Sequence, residues 1–210
     1  MDTQKNSTRK QKTTQQILTA AADVFSEVGF AGARVDAIAA RAKVNKATIY
    51  YHIGDKKALY AEVLHNVFSN LADRISMEIK DFLSPEEKLR TFIQHFAEML
   101  DQHSYLPPIM LREIASAGQN LPDLVIKDMT QFFAIVREIL KEGTSAGVFK
   151  PVTPFVVYMM ILGSTVFYKA SGSVRTQHSA MPETLRQMET NVSGNIADEI
   201  EALILEAVKK

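Results

Sequence analysis

Apolar residues recur along this chain at helical spacing, and no stretch alternates with the period of two that a half-buried strand requires. Ile17, Ala20, Ala21, Val24, Phe25 and Val28 form an i, i+3/i+4, i+7 stripe that stops at Gly29. Thr13–Gln16 has capping-box spacing, so a helix is predicted from Thr13. A short helix follows from about Val35 to Ala42, burying Val35, Ile38 and Ala39. Three or four residues later a second short helix begins near Asn45, a good N-cap, with Val44 and Ile49 facing inward. Gly54–Asp55 breaks it, and a long helix resumes at Lys56 carrying Leu59, Val63, Leu64, Val67, Phe68, Leu71 and Ile75 to an end near Leu83.

Ser84–Pro85–Glu86–Glu87 restarts the chain: an N-cap serine, proline at the first helical position and glutamate at the third. The helix behind it presents Leu89, Phe92, Ile93, Phe96, Met99 and Leu100. Pro107–Pro108 interrupts before a short helix from Ile109 to about Ala117, and Gly118 and Pro122 precede a long one to about Ser145. Two more are predicted, Pro154 to about Ala170 and roughly Pro182 to Val208, joined by a polar Ser/Gly-rich stretch. The chain reads as all-α, about nine helices, with no internal repeat.

Charge divides the chain. Residues 1–60 carry ten Lys/Arg against five Asp/Glu, a net of +5, and residues 61–210 carry fourteen against nineteen, a net of −5. A basic end on an acidic body points to a polyanionic partner for the first sixty residues. The absence of cysteine removes disulfides, thiolate metal sites and cysteine nucleophiles, and suits a reducing, cytoplasmic setting. The opening residues MDTQKNSTRKQKTT have no apolar run after their charges, unlike a secretory signal. The eighteen residues from Pro151 to Tyr168 are uncharged, but a helix from Phe155 gives only about 21 Å against a hydrocarbon core of roughly 30 Å. That helix is expected to be buried between helices or against a second subunit, not in a membrane.

The stretch AKVNKATIYYHIGDKK, residues 42–57, sets two tyrosines and a histidine in a row on a short helix, where consecutive side chains point about 100° apart. Two short helices joined by a three- to four-residue turn and braced by a preceding helix match a helix-turn-helix. Its second helix lies in the DNA major groove with its N-terminal residues on base edges. Val44 and Ile49 then hold the helix, leaving Lys46, Thr48, Tyr51 and His52 outside as donors for DNA.

From about Ile17 to Leu64 the sequence resembles the TetR family of bacterial transcriptional regulators, through ILTAAADVFSEVGF, VDAIAARAKV and NKATIYYHIGDKKALY. The resemblance implies a recognition helix from Lys46 to His52, capped by Asn45. Lys46, Ala47, Thr48 and Tyr51 would face base edges, and Tyr50, His52 and Lys56 would contact phosphates. Arg34 stands where the family has Thr or Ser at the start of helix two; it would lose the cap and gain a phosphate contact. Lys43 replaces the turn glycine, which implies a non-glycine residue at positive φ, and Ile53 replaces the usual phenylalanine.

The organisation implied is a flexible basic arm over residues 1–12, a DNA-binding domain over 13–57 and a ligand-binding and dimerisation domain over 58–210. The partners would be double-stranded DNA bearing a near-palindromic operator, a second copy of the chain, and a small hydrophobic or amphipathic molecule. Apolar candidates for its pocket are Phe92, Phe96, Met99, Met110, Phe132, Phe133 and Met159, and polar ones are His95, Arg112, Glu113 and Tyr158. The last two helices, 154–170 and 182–208, would form the dimer face. The function implied is a ligand-responsive regulator, a repressor released from its operator by the effector. The alternative is an activator or architectural protein without an effector.

Enzyme chemistry is not expected. Gly143–Thr144–Ser145–Ala146–Gly147 fits G-x-S-x-G, but that motif requires a preceding strand, and here a helix precedes it. No phosphate-binding, dinucleotide or H-E-x-x-H pattern occurs, and no cofactor is implied. The five histidines are scattered, and His95 and His103 lie eight residues apart, so no metal site is expected.

Overall fold

A computed structural model describes residues 2–79, 84–178, 180–192 and 196–210. Eleven helices occur among them: α1 (Asp2–Gly32), α2 (Val35–Arg41), α3 (Lys46–His52), α4 (Lys56–Ile79), α5 (Pro85–Gln102), α6 (Leu106–Ala115), α7 (Asp123–Ser145), α8 (Pro154–Ala170), α9 (Gly172–Gln177), α10 (Glu183–Val192) and α11 (Ile196–Val208). Two compact units form. One comprises Met1–Phe68 with Pro108–Asp128, and the other Ser69–Pro107 with Met129–Lys210.

In the first unit Ile17, Ala21, Phe25, Ile38, Ile49, Leu59 and Tyr60 are almost wholly buried. The rings of Phe25 and Tyr60 meet edge-on at 4.7 Å, and Phe30 lies 5.0 Å from Tyr60. Gly29, at φ 70°, bends the chain out of the regular part of α1, and a Cβ there would already touch the Arg112 side chain at 3.4 Å. Past that bend two carbonyls are satisfied by Lys56, whose Nζ donates to Phe30 O at 2.9 Å and Ala33 O at 3.1 Å. The same ammonium lies 4.4 Å from the centre of the Phe30 ring. Arg112 on α6 donates to Glu27 O at 2.9 Å. Two buried carboxylates close the unit: Glu113 accepts from the Tyr60 hydroxyl at 2.8 Å, and Asp128 pairs with His65 Nδ1 at 2.8 Å.

The second unit is built round Phe92, Ile93, Phe96, Phe132, Val136, Phe149, Ile161 and Ile204, with α11 packed on α5 and α8. The Ser84 hydroxyl accepts from Glu87 N, and Glu87 reaches back to Ser84 N, completing the capping box of α5. Buried Glu201 on α11 is bound by Arg90 and, at 2.8 Å, by Gln94. Near the C-terminus Lys150 N donates to Val208 O at 2.9 Å and Lys210 N to Val148 O at 3.1 Å.

The boundaries depart from the predicted ones at three places. Helix α1 starts at Asp2 and not at Thr13, because residues 2–12 contain no Gly or Pro and are rich in Lys, Arg and Gln, which propagate a helix. The polar stretch after α8 contains the short α9, where Arg175 stacks 3.9 Å above the Tyr168 ring and donates to Tyr168 O at 2.6 Å. The helix expected over 182–208 is described as α10 and α11, and residues 193–195 lie outside the described residues, as does the expected end of α4 at Leu83.

The G-x-S-x-G match lies at the end of a helix. Gly143 is inside α7, where an added Cβ would come within 2.0 Å of the Phe149 ring, and Gly147 at φ 73° follows the helix end. Both glycines have structural reasons to be there.

Candidate nucleic-acid interface

Helices α2 and α3 are joined by Ala42, Lys43, Val44 and Asn45. Lys43 takes φ 54°, the left-handed conformation its replacement of glycine implied. The turn is tied down on both sides. Val44 N donates to Ala39 O at 3.0 Å, and Gln16 of α1 donates through Nε2 to Ala42 O at 2.8 Å. Arg41 and Glu27 add a two-pronged bond at 2.7 and 2.9 Å between α2 and α1, and this partner holds the Glu27 carboxyl below its ordinary range.

Asn45 caps α3: its Oδ1 accepts from Thr48 N at 2.7 Å and from the Thr48 hydroxyl at 2.8 Å. The Thr48 proton is thereby committed, which leaves its lone pairs to accept. Turning about 100° per residue from fully buried Ile49 places Ala47 and Tyr51 on the opposite side of α3, with Thr48 and Tyr50 on its flanks. Exposure follows that geometry: Tyr51 is 78% exposed, Tyr50 48%.

The remaining expected DNA contacts divide into free and committed groups. Arg34 is the N-cap of α2 with no side-chain cap bond, and it is exposed. Lys46 is exposed but lies 3.1 Å from Asp36, a pair that solvent makes weak enough to exchange. His52 is half-buried, its Nδ1 bonded to the Thr14 hydroxyl at 3.1 Å, with its ring edge-on to Tyr51. Lys56 holds the carbonyls after Gly29. One residue outside the expected set joins this surface: Lys10 of α1, whose Nζ stands 5.7 Å from the centre of the Tyr51 ring. The basic excess of residues 1–12 was its only sequence signal.

The residues expected to hold a ligand do not form one cluster. Phe92, Phe96 and Phe132 pack at 6.3–6.4 Å between ring centres with Met99 buried in the same unit. Phe133 meets Tyr158 at 5.6 Å and exposed Phe155 at 6.0 Å. The Tyr158 hydroxyl donates to Met129 O at 3.2 Å, and burial pushes its pKa up to about 12. His95 turns instead to a charged group, bonding Glu78 through Nε2 and Glu98 through Nδ1 at 3.2 Å, with Arg74 alongside. Hydrogen bonding from His95 and then Arg74 holds the Glu98 carboxyl below its ordinary range, against the opposing effect of burial. Met159 is exposed on α8, and Met110 and Arg112 belong to the first unit. Among the described residues no group of three or more His, Asp or Glu is placed to hold a metal ion.

Helix α8 is apolar on two sides. Val157, Tyr158, Ile161, Leu162 and Val166 are buried, while Phe155, Val156, Met159, Met160 and Phe167 are exposed. Among the described residues no helix is long and apolar enough to cross a membrane. Beside Val156 and Met160 runs an open apolar groove of about 260 Å³, reaching Ile204 and Val208 of α11.

Two family models match the chain. Residues 17–63 match bacterial regulatory proteins of the tetR family, and residues 83–176 match a tetracyclin repressor-like C-terminal domain. The sequence is 29% identical over 181 residues to the HTH-type transcriptional repressor NicS of Pseudomonas putida, covering 81% of this chain and 84% of that one. The fold is shared with the ketosteroid transcriptional regulator KstR2 of Mycobacterium tuberculosis, at TM-score 0.71 and 23% identity, covering 94% and 95% of the two chains. It is shared also with FadR from Bacillus subtilis in complex with stearoyl-CoA, at TM-score 0.70 and 20% identity, covering 91% and 97%.

Proposed function

The chain belongs to the tetR family of bacterial regulatory proteins, and we propose that within it this protein is a homodimeric repressor that a small apolar effector releases from a near-palindromic operator. It is a DNA-binding transcriptional regulator, and regulators of this family bind DNA and dimerise. The observation that carries the reading is α3. Buried Ile49 fixes one side of the helix, while Ala47 and Tyr51 point away from the body with Thr48 and Tyr50 beside them.

In this reading Ala47, Thr48, Tyr51 and Lys46 face base edges, the Ala47 methyl suiting a thymine methyl. Tyr50 and Arg34 contact phosphates. His52 and Lys56 act mainly by position: one fixes the end of α3 against Thr14, the other fixes the chain after Gly29.

The dimer is supported by the outer side of α8 and by Leu203 of α11, 70% exposed, next to the α8–α11 groove. A two-fold dimer applies this same surface to itself. It also sets two α3 helices about one turn of DNA apart, roughly 34–36 Å. For the effector, the Phe92–Phe96–Phe132 cluster with Met99 and the Phe133–Tyr158 pair supply apolar lining, with the Tyr158 hydroxyl as a polar anchor. An effector that prefers a conformation unable to engage both half-sites lowers operator affinity by that preference.

The test is fluorescence anisotropy on a duplex recovered by selection from a randomised library. Tyr51→Ala and Lys46→Ala are expected to weaken binding while the helical circular dichroism is unchanged. Unaltered affinity in both variants would remove α3 from the interface.

A further inference from the structure

Several cations around α3 are already engaged: Arg41 is held by Glu27, Lys46 by Asp36 and Lys56 by two carbonyls, while Arg34 and Lys43 beside the turn are exposed. Lys10 and Lys12 are exposed and neither has a carboxylate partner among the described residues. Lys10 nevertheless sits against the interface, 5.7 Å from the ring of Tyr51, the most exposed aromatic residue of α3.

Its placement follows from helix geometry. Lys10 is one turn before Thr14, so the two share a side of α1, and Thr14 is bonded to His52 at the end of α3. The side of α1 that braces α3 therefore continues N-terminally into a segment carrying Lys5, Arg9, Lys10 and Lys12 against the single acid Asp2. Residues 2–12 lengthen α1 by about 16 Å, at 1.5 Å per residue. That length spans four to five phosphates of one strand at about 3.4 Å each.

We propose that this segment of α1 is a second DNA-binding element, in which Lys10 and Lys12 neutralise backbone phosphates flanking the bases that α3 reads. The inference rests on the DNA-binding reading above. An exposed lysine over a tyrosine is a weak contact, so Lys10 is available to a phosphate while staying near the ring. Phosphate contacts carry no base information, so the element raises affinity and its salt dependence without changing the sequence selected.

The experiment measures binding of the full chain to a selected duplex as a function of salt, for the wild type, Lys10→Ala/Lys12→Ala, Lys10→Arg/Lys12→Arg and Tyr51→Ala. Each lost phosphate contact reduces the slope of log K against log salt by about 0.9. The double alanine variant is therefore expected to lose about 1.8 per protomer and to select an unchanged motif. The arginine variant is expected to keep the wild-type slope. A wild-type slope in the double alanine variant overturns the proposal while leaving α3 as the reader. A wild-type protein that binds no duplex above background removes the underlying reading, and this proposal with it.

Discussion

Tyr60→Phe isolates one hydrogen bond whose loss should be large for so small a change. The Tyr60 hydroxyl donates to Glu113 Oε1 at 2.8 Å, with the two residues only 1% and 4% exposed. Burial, and then the bond to Glu113, raise the phenol pKa well above its ordinary value, so the hydroxyl stays protonated and a donor. Phenylalanine keeps the ring against Phe25 and Phe30 but leaves the Glu113 carboxylate, among the described residues, with the Ser116 hydroxyl alone, at 3.4 Å. Hydrogen bonds to charged groups contribute about 1.5–3 kcal/mol, and a buried acceptor left alone cannot recover its hydration. For a chain of this length each kcal/mol shifts the melting temperature by about 2–4 °C, so the expected fall is roughly 3–12 °C. Thermal unfolding followed at 222 nm, at fixed protein concentration, reads it directly. Tyr60→Phe combined with Glu113→Leu removes both partners and should recover part of the loss. A shift below about 1 °C in the single variant, or a double variant no better than it, would refute the reasoning.

Lys43→Gly should stabilise the protein. Relief of the left-handed turn is worth about 1–2 kcal/mol and the added freedom of the unfolded chain removes about 0.4–1, so a rise in melting temperature of about 2 °C, and at most about 6 °C, is expected, and a fall would contradict it. Gly143→Ala should destabilise by about 1–3 kcal/mol in chemical denaturation despite alanine's better helix propensity, because its Cβ would overlap the buried Phe149 ring; a net gain would mean the ring has room to move. Burial holds His103 below its ordinary value of 6.5, so just below that pH the unfolded chain binds a proton the native one does not, and stability falls as pH drops. His103→Gln should therefore flatten the melting-temperature profile between about pH 7 and 5.5, and an unchanged slope would contradict the assignment.

Features set by near neighbours in sequence were legible. The Asn45 cap and the capping box at Ser84 depend on residues within one helical turn and occur where the spacing put them, whereas the positive φ of Lys43 occurs where the family resemblance implied it. Helical spacing likewise identified Ile38 and Ile49 as the buried sides of the two short helices, while Val35 and Val44, expected inward with them, are half-buried. Tertiary pairing was not legible. Tyr60 meets Glu113 across 53 residues, and His65 meets Asp128 across 63, and no local pattern marks either pair. The expected ligand residues show the same limit, since helical periodicity says which residues turn inward but not toward which neighbour. His95 turned to Arg74, Glu78 and Glu98, and Arg112 to the backbone of α1. Ala117 at φ 55° also carried no signal, because alanine does not advertise a left-handed turn as glycine does.

In the proposed function two copies of α3 read a two-fold symmetric DNA site. Its most direct test is selection from a randomised duplex library with the purified full chain at about 150 mM salt, followed by sequencing. The account predicts a two-fold symmetric motif whose half-sites are centred about one helical turn apart, and its loss in Tyr51→Ala. An asymmetric motif, or none from a folded dimer, would contradict it.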